Sequence, residues 1–195
     1  MKRIFIVHGW GGTPQEGWFP WLKKELEKKH FYVEAPSMPE TEHPRIETWI
    51  PYLTNVVGKA DKDTYFVGHS IGCQTILRYL EKINTKIGGV VLVAPWLHLD
   101  EKTIREEGEE SILIAKSWIK TPINFKKIKK LNKNFVAFFS DNDPFVPLSD
   151  SNIFKKQLNA KILLEKQKGH FSGSDKINQL PLVLEELLKI INNPS

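Results

Sequence analysis

The chain has 195 residues, 41% hydrophobic and 26% charged, which is the composition of a globular protein long enough to bury a core. Its 28 Lys and Arg residues against 23 Asp and Glu give a charge of +5, and we interpret the basic run at 126–130 as a solvated helix face rather than a nucleic-acid contact. The longest apolar runs are too short to span a membrane. The single cysteine, Cys73, allows no internal disulfide and predicts a cytoplasmic location.

Strand-like and helix-like runs alternate along the chain, which predicts one α/β domain over 1–195 with a mostly parallel sheet and helices on both faces. The predicted strands cover 3–7, 31–34, 64–67, 88–94, 135–139 and 162–164. The predicted helices cover 18–29, 45–59, 71–82, 151–158 and 180–191. The segment 96–124 has no strand signal, and we expect it to form a small excursion or minimal lid over the sheet edge.

The pattern Gly68-x-Ser70-x-Gly72 lies between a β-branched and aromatic run and a helical apolar repeat. This is the strand, turn and helix context of a nucleophile elbow, in which a strained turn exposes the serine Oγ. The flanking glycines fit because bulk at those positions would collide with the neighbouring strand and helix. Ser70 is therefore the predicted nucleophile.

A serine hydroxyl needs a base to accept its proton and an acid to orient that base. Of the six histidines, His170 is the one that follows both Ser70 and the acidic loop at 140–144, as the order Ser, acid, His requires. The acid is Asp143 or Asp141. We prefer Asp143 because the residue before Pro144 is held extended, whereas Asp141 could instead accept hydrogen bonds from turn amides.

An acyl-transfer intermediate needs two backbone N–H donors. Ile71 follows the nucleophile at a helix N-terminus, and Trp10 lies in the glycine-rich loop 8–12, so their N–H groups are the predicted oxyanion hole. The rival interpretation of this loop as a phosphate-binding loop fails because neither GxxxxGK[ST] nor GxGxxG is present.

Other residues near the predicted strand ends receive less specific assignments. Trp96, Phe145 and Phe171, together with Trp10, could line an apolar acyl pocket. His69 is expected to point away from the nucleophile, Cys73 to be a small core residue, and Ser172, Ser174 and Asp175 to be loop and helix-cap residues. No His, Cys and Asp cluster has metal-ligand spacing, so no metal or other cofactor is expected.

The sequence resembles the small serine hydrolases of the retinoblastoma-binding-protein and bacterial YdeN type, in the α/β-hydrolase superfamily. The resemblance covers nearly the whole chain and rests on the segments 8–12, 21–26, 38–39, 49–51, 68–72, 143–147 and 169–171. It implies an α/β-hydrolase fold with Ser70 as nucleophile, Asp143 as acid and His170 as base. The family name comes from partner binding through an L-x-C-x-E motif, which this sequence lacks, so that role does not carry over.

Two functions from different classes follow. The first is a serine hydrolase that cleaves small carboxylic esters or related acyl compounds through an acyl-enzyme. The alternative is a partner-binding protein on a hydrolase fold whose triad is unused. The complete Ser, Asp and His set favours the enzyme, with a small acyl compound as its partner and neither nucleic acid nor membrane. The sequence indicates no particular protein partner.

Overall fold

The computed structural model describes residues 1–193, which form six β-strands in one parallel sheet of order β2-β1-β3-β4-β5-β6. Every neighbouring pair is parallel, so the predicted α/β sheet is confirmed. The strands are β1 (Arg3–Val7), β2 (Tyr32–Glu34), β3 (Thr64–His69), β4 (Gly89–Val93), β5 (Phe135–Ser140) and β6 (Lys161–Glu165). The last two residues of the predicted domain, 194 and 195, lie outside the described residues.

Eight helices accompany the sheet within residues 1–193. They are α1 (Phe19–Glu27), α2 (Ile46–Val57), α3 (Ile71–Lys82), α4 (Glu101–Glu106), α5 (Glu109–Lys120), α6 (Phe125–Leu131), α7 (Ser149–Leu158) and α8 (Pro181–Asn192). Helices α1 and α8 contact each other, while α2, α3, α6 and α7 form a second contiguous layer. Two helical layers therefore bury the sheet between them, as parallel sheets require.

The central strands explain why the sheet is stable. Every residue of β3, β4 and β5 is buried, in agreement with their nearly continuous apolar sequences. Helix α3, which follows the central strand β3, is buried over its first ten residues, from Ile71 to Leu80. The nucleophile elbow thus lies between a fully buried strand and a helix that is buried over most of its length.

The excursion at 96–124 contains the two helices α4 and α5, which the sequence did not predict. Only Ile104, Ala115 and Trp118 of these helices are buried, so their sequences lack a strong apolar stripe. Tertiary contacts hold them instead. The Arg78 guanidinium donates to the carbonyls of Trp118 and Thr121 at 2.7 Å each, where the C-terminal end of α5 offers unpaired acceptors.

The chain order of the sheet reverses at β1, because β2 lies on one side of it and β3 on the other. Open α/β sheets bind their ligands beyond the carboxyl ends of the strands at such a switch point. Here β1 leads into the glycine-rich loop and β3 leads into Ser70. The topology therefore brings the two sequence motifs together at one edge of the sheet. Within residues 1–193, no helix is both long and apolar enough to cross a membrane.

A buried carboxylate joins the loop after β4 to helix α7. Asp150 is fully buried, and its carboxylate accepts hydrogen bonds from the backbone N–H groups of Leu97 at 2.6 Å and His98 at 2.9 Å. The Nδ1 atom of His98 lies a further 2.6 Å from the same carboxylate. These contacts hold the backbone directly after Trp96 in place.

We expect Asp150→Ala to lower the free energy of unfolding by about 2–4 kcal/mol, because three donors would lose their acceptor in a buried place. Urea denaturation at neutral pH measures the change. Asn152→Ala, at an exposed position of the same helix, is the matched control and should change stability by less than about 0.5 kcal/mol. Equal stability of the two variants would contradict a structural role for the carboxylate.

Candidate active site

The elbow places Ser70 in a backbone conformation that side-chain-bearing residues rarely adopt, with φ 51° and ψ −121°. The Ser70 N–H donates to the carbonyl of Val93 on β4 at 2.9 Å, which holds the turn against the sheet. A Cβ on Gly72 would lie 2.4 Å from the Val7 carbonyl oxygen, and one on Gly68 would lie 2.9 Å from the Cys73 nitrogen. Both glycines are therefore required by close backbone approach, as the motif predicted.

Ser70, His170 and Asp143 form a continuous hydrogen-bonded chain. His170 Nε2 lies 2.8 Å from Ser70 Oγ, and His170 Nδ1 lies 2.9 Å from Asp143 Oδ2. When the imidazole is neutral, this geometry has Nδ1–H donating to the carboxylate and the serine hydroxyl donating to Nε2. Ser70 is only 7% exposed, and the Asp143 side chain is 2% exposed, so the chain of bonds is largely shielded from water.

The two candidate acids have different partners. The carboxylate of Asp143 also accepts from the N–H groups of Phe145 at 2.9 Å and Val146 at 3.0 Å, so the turn after the strand fixes its orientation. Asp141 is exposed and accepts from the Gln167 N–H at 2.8 Å. The structure thus brings Asp143 to His170 and uses Asp141 to join two loops.

Three successive side chains at the end of β5 link this loop to the loop before His170. Ser140 Oγ accepts from the N–H of Lys168 at 3.0 Å, and Asn142 Oδ1 accepts from the N–H of Gly169 at 2.9 Å. With Asp141, they bind the backbone of three consecutive residues, 167–169, just before the histidine. The loop that carries Asp143 is therefore attached to the loop that carries His170.

The main chain of His170 is held on both sides. The Asp175 carboxylate accepts its N–H at 2.9 Å, and the Nε2–H of His69 donates to its carbonyl at 2.7 Å. Trp18 Nε1 donates to the next carbonyl, that of Phe171, at 2.9 Å. His69 thus lies against His170, with ring centroids 5.0 Å apart, rather than pointing away as expected. Asp175 caps no helix and instead orders this loop.

Two backbone N–H groups are available beside the serine. Within residues 1–193, the amides of Trp10 and Ile71 have no hydrogen-bond acceptor, and both residues flank the switch point of the sheet. Ile71 is the first residue of α3, whose N-terminal amides have no partners inside the helix. The loop carrying Trp10 is fixed by the bond from the Gly11 N–H to the Thr41 carbonyl at 2.8 Å.

Two buried histidines next to the site stay neutral. Burial, and then the nearby His170, lower the pKa of His69 from 6.5 to about 3. Burial also lowers the pKa of His8, whose Nδ1–H donates to the Gly9 carbonyl at 2.8 Å while Nε2 accepts from the Met38 N–H at 3.0 Å. Both rings act as fixed donors that hold loops in place. Burial likewise raises the pKa of the Cys73 thiol, which is a core residue.

A cavity of about 690 Å³ opens above Ser70. The three predicted pocket aromatics all line it, but they differ in burial. Trp96 and Phe171 are almost fully buried and form fixed walls, whereas Phe145 is partly exposed and lies 5.1 Å from the His170 ring. Helices α4 and α5 contribute the far wall through residues such as Ile104 and Ile114. The excursion is therefore part of the site.

A family model described as serine hydrolase matches residues 4–189. The chain belongs to the serine hydrolase family. It is 28% identical to YdeN of Bacillus subtilis (strain 168) over 188 residues, which are 95% of this chain and 94% of YdeN. It is 27% identical to the serine hydrolase RBBP9 of Rattus norvegicus over 189 residues, 95% of each chain. The predicted family is thereby confirmed, and the protein is a hydrolase by family.

Solved structures agree with this assignment. The crystal structure of B. subtilis YdeN matches with a TM-score of 0.89 over 99% of this chain and all of YdeN. Est1E from Butyrivibrio proteoclasticus, at 17% identity, matches with a TM-score of 0.72 over 99% of this chain and 90% of its own. The second match shows the α/β-hydrolase fold alone.

The sequence does not identify three residues around His170 as part of the site: it predicts that His69 points away from the nucleophile, that Asp175 is a loop or helix-cap residue, and that Trp18 belongs to a helix. No sequence pattern marks these contacts. His69 and Trp18 bind backbone carbonyls that lie more than 100 positions away, and Asp175 binds the His170 N–H within a local turn. The adjacency of His69 to the nucleophile was the available clue.

The buried imidazoles predict acid sensitivity. The ordinary pKa of histidine is 6.5, and below that pH the imidazole of His69 binds a proton in the unfolded chain but not in the folded protein. The free energy of unfolding therefore decreases as the pH falls from 6.5 to about 3, the pKa of His69 in the folded state. Each such histidine contributes a slope of about 1.4 kcal/mol per pH unit.

We expect His69→Gln, which keeps a side-chain N–H donor, to reduce the dependence of the unfolding free energy on pH. Between about pH 4 and 6 the slope should fall by the contribution of nearly one proton, about 1.4 kcal/mol per pH unit. Urea unfolding at several pH values measures it. Asn152→Ala, at an exposed position without a titratable side chain, is the control and should leave the slope unchanged. A variant at position 69 with the full wild-type slope would show that His69 is not held neutral.

Proposed function

We propose that this protein is a serine esterase, which cleaves small carboxylic esters or related acyl compounds through an acyl-enzyme. The observation that carries the proposal is the hydrogen-bonded chain from Ser70 Oγ through His170 to Asp143 at the base of the cavity. Membership of the serine hydrolase family supports the same chemistry. Each residue has a role that follows from its contacts.

In the first half of the reaction, Ser70 Oγ attacks the ester carbonyl carbon while His170 Nε2 takes the hydroxyl proton. Asp143 accepts Nδ1–H and stabilises the imidazolium that forms. When the tetrahedral intermediate collapses, the C–O bond to the alcohol breaks and Nε2–H returns its proton to the leaving oxygen. The products of this half are the free alcohol and an ester between Ser70 Oγ and the acyl group.

In the second half, a water molecule takes the place of the alcohol. His170 Nε2 accepts one of its protons as the oxygen attacks the acyl carbon, and the second tetrahedral intermediate expels Ser70 Oγ. The proton on Nε2 then returns to the serine, and a carboxylic acid leaves. Water is the only co-substrate, so the proposed reaction balances without a metal or other cofactor.

The negative charge that develops on the carbonyl oxygen requires donors that are already in place. The unpartnered N–H groups of Trp10 and Ile71 are the proposed oxyanion hole. Ile71 adds the positive end of the α3 dipole, and the glycines around Trp10 let the backbone approach the substrate closely.

The shape of the cavity supports a small acyl substrate. Phe145 is partly exposed and lies beside the imidazole, so an apolar acyl chain would contact its ring, while the buried Trp96 and Phe171 pack behind the cavity. A volume of about 690 Å³ is within the usual range for small-molecule sites and leaves no room for a polymer to be enclosed.

We expect Ser70→Ala to abolish hydrolysis of a short-chain p-nitrophenyl ester, with kcat reduced roughly a million-fold, and to abolish labelling by a fluorophosphonate probe. The fold should persist, because alanine removes one oxygen. Ser117→Ala, on the exposed side of α5, is the control and should label and turn over as the wild type does. Wild-type turnover in the Ser70 variant would exclude the serine mechanism.

The two acids give a second, sharper expectation. Asp143→Asn should lower kcat on the order of ten-thousand-fold, because an amide favours the wrong imidazole tautomer. Asp141→Asn should have little effect, since an amide oxygen can still accept the Gln167 N–H. Steady-state kinetics on both variants decide between them, and the reverse order would assign the acid to Asp141.

A further inference from the structure

The cavity that contains Ser70 Oγ has a charge opposite to that of the chain. Five carboxylate side chains line it, and no Lys or Arg among residues 1–193 does, although the chain has 28 Lys and Arg residues and a net charge of +5. The five are Glu16, Glu42, Glu107, Glu110 and Asp175. A cleft lined by one sign of charge concentrates ligands of the other sign.

Two of these carboxylates are already engaged. Asp175 accepts the His170 N–H, and Glu110 pairs with His43 at 3.1 Å. Within residues 1–193, the carboxylates of the other three make no hydrogen bond or ion pair. Their charges are therefore available to a ligand in the cavity.

Glu42 is one of these three, and the structure attaches it to the glycine-rich loop. Its backbone carbonyl accepts from Trp10 Nε1 at 2.9 Å, and the preceding carbonyl, that of Thr41, accepts the Gly11 N–H. The two Glu42 carboxylate oxygens lie 3.4 and 3.5 Å from the position that a Cβ on Gly11 would occupy. The exposed carboxylate thus lies against Gly11 of the glycine-rich loop, and the partly exposed indole of Trp10 is bonded to the backbone of the same residue.

We propose that Glu42 and Trp10 form a subsite for an ammonium group, so that the preferred substrates are small esters bearing a positive charge. A carboxylate beside an aromatic ring provides both Coulomb attraction and a cation–π contact. No Lys or Arg among residues 1–193 lines the cavity to neutralise this carboxylate, and His43, the neighbouring residue, lies 3.1 Å from Glu110 instead. This inference names the substrate class of the proposed esterase and rests on that function.

The test compares two isosteric esters of butyric acid, the choline ester and the 3,3-dimethylbutyl ester, which differ in charge and hardly in shape. We expect kcat/KM for the choline ester to exceed that for the neutral ester by about fivefold or more, the factor that one charge pair at contact provides near water. Raising the salt concentration from about 20 to about 500 mM should reduce this ratio by screening.

Glu42→Gln keeps the backbone bond to Trp10 and removes the charge. We expect it to lower the ratio of the two kcat/KM values at least about threefold. Glu47→Gln is the matched control, because it removes the same charge at an exposed position of α2 outside this cavity, and should leave the ratio unchanged. A wild-type ratio of one or below, or an unchanged ratio in Glu42→Gln, would overturn the ammonium subsite.

Failure of the subsite and failure of the esterase are distinguishable. Absence of fluorophosphonate labelling at Ser70 would contradict the esterase and says nothing about the subsite. The subsite is tested without turnover, by calorimetric titration of the protein with choline and with 3,3-dimethylbutan-1-ol. Tighter binding of choline to the wild type, weakened in Glu42→Gln, supports the subsite. Equal binding of the two alcohols contradicts it, whatever the fate of the ester bond.

Discussion

The hydrogen bond between Ser70 Oγ and His170 Nε2 is the contact on which the rest of the site depends, and it joins residues 100 positions apart. Neither side chain is long, so a displacement of either loop by about 1 Å would break the alignment that proton transfer needs. The structure meets this constraint mainly through the backbone. The N–H of His170 is bound by Asp175 and its carbonyl by His69, so the imidazole starts from a fixed main chain.

The same requirement explains the interlocked loops. The side chains at the end of β5 bind the backbone just before His170, so the loops of Asp143 and His170 are held together. The start of α4 is attached to the same loops, because the Thr103 hydroxyl donates to the Pro144 carbonyl and the Asp100 N–H donates to the Phe145 carbonyl, both at 2.8 Å. A shift of α4 would therefore be transmitted to Asp143.

Much of the fold and several site residues could be predicted because they depend on local patterns. Six apolar runs specified the strands, with bounds that differ by no more than two residues from those observed. The glycines at 68 and 72 indicated the elbow because only a missing Cβ permits the approach of β1 and α3. The helices α4 and α5 were missed, since contacts such as those of Arg78 with the end of α5 hold them rather than an apolar stripe of their own.

The sequence by itself determined the parallel sheet and a serine at a strand-to-helix turn, because periodicity and glycine spacing are local properties of a chain. Through chain order it also limited the proposed base to His170, and it left two candidate acids. Only the tertiary structure decided that Asp143 meets the imidazole, that His69 lies against it, and that a basic chain encloses an acidic cavity. These are facts about which side chains converge beyond the strand ends, and convergence depends on how distant loops pack, which no local pattern encodes.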